Sequence, residues 1–206
     1  KKASPSKGVL RADFRPVEIA RSYQRGGAVA LSILTDEKFF QGSLSYLADI
    51  RGAVGLPLLR KDFVIDAYQL HETKAAGADA VLLIVAALKP EQLGYLQREA
   101  LDIGLECLVE VHTREELSIA RAAGATLIGI NNRNLETFET DIMTSVRLSA
   151  ELPSGTIGVS ESAISTSRDL ELLKASGLKG ALIGEAFMRA ADPGRELATI
   201  VDGMKP

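Results

Sequence analysis

Short apolar runs alternate with amphipathic stretches along almost the whole chain, and one pattern recurs. Residues 74–84 (KAAGADAVLLI), 121–130 (RAAGATLIGI) and 174–183 (KASGLKGALI) share it, and 25–33 (RGGAVALSI) is a looser fourth copy. Each reads as a helix end, a glycine that closes the helix, and a short buried strand. The repeated glycines Gly77, Gly124 and Gly177 lie about 50 residues apart, which leaves room for one further strand between each pair. The expected strands are therefore 28–34, 56–60, 79–85, 105–110, 126–131, 156–160 and 180–184.

The intervening stretches carry helical spacing. Leu93, Leu96, Ala100 and Ile103 fall on one face of a helix. Residues 113–116 (TREE) read as a capping box before Leu117 and Ala120, and 166–169 (TSRD) opens a helix carrying Leu170 and Leu173. Pro16, ahead of Val17 and Ala20, suits a first helical turn, as does Pro90. Strands that alternate with helices imply right-handed βαβ units and a parallel sheet. The apolar run 81–85 is what a strand covered on both faces requires. Seven strands are one short of a (β/α)8 barrel. Residues 1–8 (KKASPSKG) read as the tail of a strand already ending, which puts the eighth strand before residue 1.

Composition narrows the class. The chain has 206 residues, 46% of them hydrophobic, and a net charge of −3. That reads as one domain, 1–206, with an ordinary packed core and no basic footprint for nucleic acid. No apolar run approaches the ~18 residues of a membrane span, and no charged-then-apolar leader opens the chain. The single Cys107 excludes an intrachain disulfide, and two histidines, His71 and His112, offer little to a metal. The expected setting is a reducing, cytoplasmic one.

Candidate chemistry lies where the apolar runs stop. They end at Lys61-Asp62, at Glu110, at Asn131-Asn132-Arg133, at Ser160-Glu161-Ser162 and at Gly184-Glu185. In a closed barrel these ends meet at one mouth, on the face where barrel sites lie. Polar turn formers end strands in most proteins, but five ends bearing long charged side chains favour a pocket. A lysine among carboxylates suits a general acid, Lys61, and Glu110 suits the matching base. Ser162, Gly184 and the short helical stretch 185–189 suit a phosphate, with Ser4, Ser6 and Lys1 closing it from the first loop. Glu185 opposes an anion there unless its side chain turns away. His112 reads as a loop or supporting side chain, His71 as surface and Cys107 as core. Phe40 and Phe63 suit either core or pocket wall.

The chain resembles the indole-3-glycerol phosphate synthase family from residue 1 to about Asp192. The matching stretches are 1–8 (KKASPSKG), 34–42 (LTDEKFFQG), 59–63 (LRKDF), 108–112 (LVEVH), 129–135 (GINNRNL), 159–162 (VSES) and 183–184 (IG). The resemblance implies ring closure, decarboxylation and dehydration of a carboxyphenylamino-deoxyribulose 5-phosphate, without metal or organic cofactor. It implies Lys61 as general acid, Glu110 as base and Lys1 as second catalytic lysine, with Asn131, Glu161 and Ser162 around the substrate hydroxyls. It implies Arg133 for the anthranilate carboxylate and Ser4, Gly184 and the segment after Glu161 for the phosphate. Ser32, Leu34, Phe40 and Phe63 match the wall, and Ala163, Leu182 and Glu185 complete the substrate contacts. The family carries a Glu two residues before the position of Lys1 and a helical N-terminal extension, and it usually has Gly where this chain has Ala163. The implied fold is a (β/α)8 TIM barrel with its first strand and N-terminal extension largely missing from this chain. The implied partner is a small phosphorylated substrate, with no nucleic acid or membrane, the protein being a monomer or weak homo-oligomer.

Two other readings compete. An isomerase of a related aminated ribulose phosphate needs an acid and a base but no carboxylate binder, so Arg133 argues against it. A barrel that only binds phosphorylated ligands has no use for Lys1, Lys61 and Glu110 together.

Overall fold

The computed structural model describes residues 1–5 and 7–204, so Ser6 lies outside the described residues. The chain opens with a small antiparallel ribbon, β1 (Ala3–Ser4) paired with β2 (Gly8–Val9). This ribbon is separate from the seven-stranded sheet described next.

Helices and strands then alternate. The first half holds α1 (Pro16–Arg25), β3 (Leu31–Leu34), α2 (Ser45–Arg51), β4 (Leu58–Lys61), α3 (Ala67–Ala75), β5 (Ala80–Ile84) and α4 (Pro90–Asp102). The second holds β6 (Glu106–Val111), α5 (Arg114–Ala122), β7 (Leu127–Asn131), α6 (Met143–Ser149), β8 (Ile157–Glu161), α7 (Ser167–Ala175), β9 (Gly180–Leu182), α8 (Glu185–Arg189) and α9 (Pro193–Asp202). Strands β3 to β9 form one seven-stranded parallel sheet in chain order. All seven expected strands are present. The first starts three residues late, because Val29 is 84% exposed on the open edge. The third stops at Ile84, where Val85–Ala87 winds into a 3-10 turn ahead of the helix that Pro90 begins. Gly77, Gly124 and Gly177 each follow a helix C-cap with φ of 87°, 77° and 86°, the left-handed closure their repeat suggested.

The sheet curls. Lys61 on β4 touches Glu161 on β8, four strands away. A flat sheet would separate those strands by about 19 Å at ~4.8 Å per strand, beyond a lysine's reach. Alternation then sorts the side chains. Leu59, Leu82, Ile84 and Leu108 pack inside the curl with Leu127, Val159 and Leu182. Val81, Leu83, Val109, Ile128 and Ile130 face outward against Leu93, Leu96, Leu117 and Leu173 of the helices. A second outer cluster joins Leu31, Ile33 and Leu58 to Ala20, Leu47 and Ile50. The outer sides of β3 and β9 have no ladder partner among the described residues. Beside that opening, α9 is fastened to α1: the backbone N–H of Gly194 donates to Ser22 Oγ at 2.9 Å. Among the described residues, no helix is long and apolar enough to cross a membrane.

Candidate active site

Strand alternation aims Lys61 of β4, Asn131 of β7, Glu161 of β8 and Leu182 of β9 at one cavity, whereas Glu110 of β6 does not line it and meets it through its bond to Lys61. The cavity's volume is about 1070 Å3, and it runs from the C-terminal mouth down the open side between β3 and β9. Lys61 lines it. The Nζ atom donates to Glu110 Oε2 at 2.8 Å and to Glu161 Oε2 at 2.9 Å. Both carboxylates are buried. Asn131, at the end of β7, donates through Nδ2 to Glu110 Oε1 at 3.1 Å.

Burial and charge act on these groups in opposite senses. Burial works against the Lys61 ammonium, but Glu110 and Glu161 outweigh it and hold its pKa above the ordinary lysine value. Burial likewise opposes ionisation of Glu110, yet Lys61 and His112 hold that carboxyl below the usual range. For Glu161, burial and the charge on Glu110 prevail over Lys61 and push its pKa up to about 7. The two carboxylates therefore differ in proton affinity although they share one lysine.

Ser32, Leu34, Phe40, Arg133, Ser162, Ala163, Leu182, Gly184, Glu185 and Lys1 also line the cavity. The Lys1 ammonium lies 5.8 Å from the centre of the Phe40 ring. Burial and the Arg133 charge lower its pKa, with Glu185 opposing them. Arg133 faces Glu185 at 3.5 Å and donates to the Phe138 carbonyl at 3.0 Å. Glu185 also pairs with Arg189 at 3.2 Å, so its carboxylate is already engaged by cations. Ser4 is buried on β1, and its hydroxyl has no hydrogen-bond partner among the described residues; it does not line the cavity. Phe63 is the clearest departure from expectation. It is 41% exposed, packs edge-on against Phe39 and lies off the cavity wall. The chain turns outward after Lys61, so proximity in sequence does not carry Phe63 into the mouth.

Several contributors were not singled out by sequence. Arg60 is buried behind β4, where it donates to Thr35 Oγ1 at 3.1 Å, to the Gln69 carbonyl at 3.0 Å and to Asp62 at 3.1 Å. It ties the loops after β3 and β4 to α3 and so fixes the strand end that carries Lys61. Asn132 is buried beneath the mouth and donates to the Ser162 carbonyl at 3.0 Å and to Ser160 Oγ at 2.9 Å. It thereby clamps a turn in which Ser162 and Ala163 hold φ of 65° and 59°. His112, expected as a loop or supporting residue, is in ion-pair contact with Glu110 at 3.3 Å. Among the described residues, no group of three or more His, Cys, Asp and Glu is placed to hold a metal ion.

Known proteins share both the sequence and the architecture. The family profile described as Indole-3-glycerol phosphate synthase matches residues 1–200. The indole-3-glycerol phosphate synthase of Rhodopirellula baltica is 52% identical over 192 residues, 93% of this chain and 74% of that protein. The one from Bordetella pertussis is 54% identical over 201 residues, 98% of this chain and 77% of that protein. Among solved structures, a 3-hexulose-6-phosphate synthase superposes with a TM-score of 0.75 at 15% identity, covering 92% of this chain and 93% of its own. A thiamine phosphate pyrophosphorylase from Pyrococcus furiosus superposes at 0.69 and 16% identity, covering 90% and 87%. At such identities these two share the barrel fold alone. Matched along nearly its whole length, the chain belongs to the indole-3-glycerol phosphate synthase family, carboxy-lyases of tryptophan biosynthesis.

Proposed function

We propose that Lys61 is the general acid and Glu110 the general base in converting 1-(2-carboxyphenylamino)-1-deoxyribulose 5-phosphate to indole-3-glycerol phosphate. The observation that carries this reading is the cavity-lining lysine held between two buried carboxylates. Ring closure needs a proton at the ketone oxygen as the aromatic carbon attacks it. Lys61, kept protonated by its two neighbours, supplies that proton. Once Lys61 is neutral, the larger of the two charges that held Glu110 down is gone, and Glu110 becomes the stronger base that dehydration requires. Lys1, with its lowered pKa, gives a proton more readily and serves the departing hydroxyl. Asn131 orients Glu110, and Glu161 holds Lys61 from the other side.

Binding follows the same wall. Arg133 takes the aromatic carboxylate; the carboxylate of Glu185 already beside it supports that choice. Ser162, Ala163, Leu182, Gly184 and Glu185 frame the phosphate end, and Ser4, which is off the cavity wall, reaches it only by a movement of β1. Ser32, Leu34, Phe40 and Phe63 bound the ring, with Phe63 reaching it only by a movement of the segment after Lys61. The enzyme works in the cytoplasm as a monomer or weak homo-oligomer; the buried free thiol of Cys107 is consistent with a reducing compartment.

Product indole fluorescence measures turnover in a chain that has no Trp. Lys61→Ala is expected to lose about 100-fold or more in kcat with its circular-dichroism spectrum retained. An unchanged rate overturns the acid assignment. Glu110→Gln is expected to lose a similar factor, and a wild-type rate overturns the base assignment.

A further inference from the structure

Arg133 is held firmly on one side and met loosely on the other. Its backbone N–H donates to Asn131 Oδ1 at 3.1 Å, and its Nη1 donates to the Phe138 carbonyl at 3.0 Å. These bonds, from the end of β7 and the loop after it, fix the guanidinium at the mouth. Its Nη2 faces Glu185 Oε2 at 3.5 Å, an ion-pair contact longer than the ~2.7–3.2 Å of a formed hydrogen bond. The other oxygen of Glu185, Oε1, accepts from Arg189 Nη2 at 3.2 Å and from Arg189 Nε at 3.3 Å, one turn along α8. Glu185 thus bridges two arginines from the head of α8, and its contact with Arg133 is the longer one. Arg133 and Glu185 both line the cavity; Arg189 does not.

The reaction gives that loose contact a use. The substrate arrives with an aromatic carboxylate, and the product leaves without one, because that group departs as CO2. An arginine that binds the carboxylate therefore lacks it twice in each cycle, before substrate enters and after CO2 leaves. The Arg133 side chain is only 18% exposed, and a cation so far removed from water is costly to leave without an anion. Among the described residues, Glu185 is the carboxylate in ion-pair contact with it. Glu110 and Glu161 are already engaged by Lys61.

We infer that Glu185 is a resident counter-ion for Arg133, which the substrate carboxylate displaces and which returns once CO2 has left. This rests on the reading above that Arg133 binds the aromatic carboxylate. Displaced, Glu185 keeps its bonds to Arg189, and its side chain is 30% exposed, so water takes the freed oxygen. The product has no carboxylate with which to compete, so the restored pair favours its release. The competition also bears on the chemical step. A carboxylate loses its charge as it becomes CO2, so an unopposed grip by Arg133 is stronger on the ground state than on the transition state and slows the step. A second carboxylate that takes up the arginine as that charge fades offsets the loss. This gives a reason for a glutamate on a wall that binds an anionic substrate: it is a competitor built into the site.

The test is calorimetric binding of two probes to the full chain. One is the substrate with its ketone reduced to an alcohol, which cannot close the ring; the other is the same compound without its carboxylate. The readout is the ratio of their dissociation constants. In Glu185→Gln we expect the preference for the carboxylated probe to rise about threefold or more. Glu185→Ala should repeat the rise, so the result does not depend on how one variant folds. The rise should vanish when Arg133→Met is added, since the competition is for that arginine; a rise that survives there overturns the inference. Equal tightening of both probes overturns it, because Glu185 then only repels the phosphate. An unchanged preference overturns it too, and so does a lower one, which would show Glu185 steadying Arg133 for the substrate. Arg133→Met alone separates the two levels. Loss of the preference there, with Glu185→Gln silent, leaves the carboxylate reading standing and removes the counter-ion. An unaltered preference in Arg133→Met removes both.

Discussion

The Glu161 carboxylate occupies the space that a side chain on Gly129 would fill. A Cβ built on Gly129 overlaps Glu161 Oε1 and comes within 3.3 Å of Leu108 Cδ1. The two residues lie on adjacent strands, β7 and β8, which pair in parallel register. One carboxylate of the site is thus positioned by missing atoms on the strand beside it.

Gly129→Ala should therefore act through Glu161. The methyl forces the carboxylate off the space beside Lys61, while the strand keeps its ladder. Overpacking of this kind costs about 1–3 kcal/mol. We expect kcat to fall about tenfold or more with a folded spectrum and a modestly lower Tm. Wild-type kcat with Glu161 crystallographically displaced from Lys61 would contradict the assignment of Glu161 to the site.

Lys61→Met removes the cation and leaves two buried carboxylates side by side. Burial and like charge then raise their pKa values. A carboxyl whose folded pKa is raised favours the fold only while protonated, so the variant loses stability as pH rises. In the wild-type protein Glu110 is held below its ordinary pKa of 4.5. It therefore contributes stability above that value and loses it as pH falls. The gap between the two proteins should widen from pH 5 to pH 8, reaching about 3 kcal/mol. Urea unfolding at both pH values checks this; a gap that narrows refutes it.

Much of this site was legible because a parallel strand alternates strictly. Lys61, Glu110, Asn131 and Glu161 are strand ends, and the curl brings the carboxylates of two other strands, Glu110 and Glu161, to one lysine. What escaped has the same origin seen from the other face. Arg60 precedes Lys61, so one of two adjacent cations had to turn outward and find acceptors; the acceptors come from segments distant in sequence, which no local pattern discloses. The capping box at 113–116 formed only by half. Thr113 Oγ accepts the Glu116 N–H at 3.2 Å, but the Glu116 carboxylate reaches back to His112 instead of the cap, because a charged ring beside Glu110 attracts it more than a terminal amide. The seven-residue helices α2 and α6 carry no side-chain cap bond, so their termini left little signal.

His112 makes a second pH-dependent contribution with the opposite sign. A histidine whose folded pKa of about 9 exceeds its ordinary value of 6.5 stabilises the fold fully below the lower value. That stabilisation disappears as pH rises through the higher one. The difference corresponds to at most about 3 kcal/mol. His112→Asn should thus be less stable than wild type at pH 6 and nearly equal to it at pH 10, by urea unfolding. A pH-independent difference would mean that packing, not charge, holds the ring.

Ala163 stands in a conformation that suits glycine. It and Ser162 both have left-handed φ, at 59° and 65°, where a Cβ crowds the following carbonyl at about 1–2 kcal/mol per residue. The turn persists because Asn132 grips the Ser162 carbonyl, Ser145 donates to Asn132 Oδ1 at 2.9 Å, and Ile164 anchors the exit in the core. Ala163→Gly removes that crowding but gives the unfolded chain more freedom, worth about 0.4–1 kcal/mol in the other direction. The net expectation is a gain of up to about 1 kcal/mol, together with tighter inhibition by inorganic phosphate, since the backbone N–H groups of the turn become easier to approach. Asn132→Ala should do the reverse, loosening the turn and weakening phosphate inhibition. Measured together, the pair isolates the turn: if Ala163→Gly leaves both stability and phosphate inhibition unchanged while Asn132→Ala lowers stability alone, the turn is a structural joint and phosphate binds elsewhere on the cavity wall.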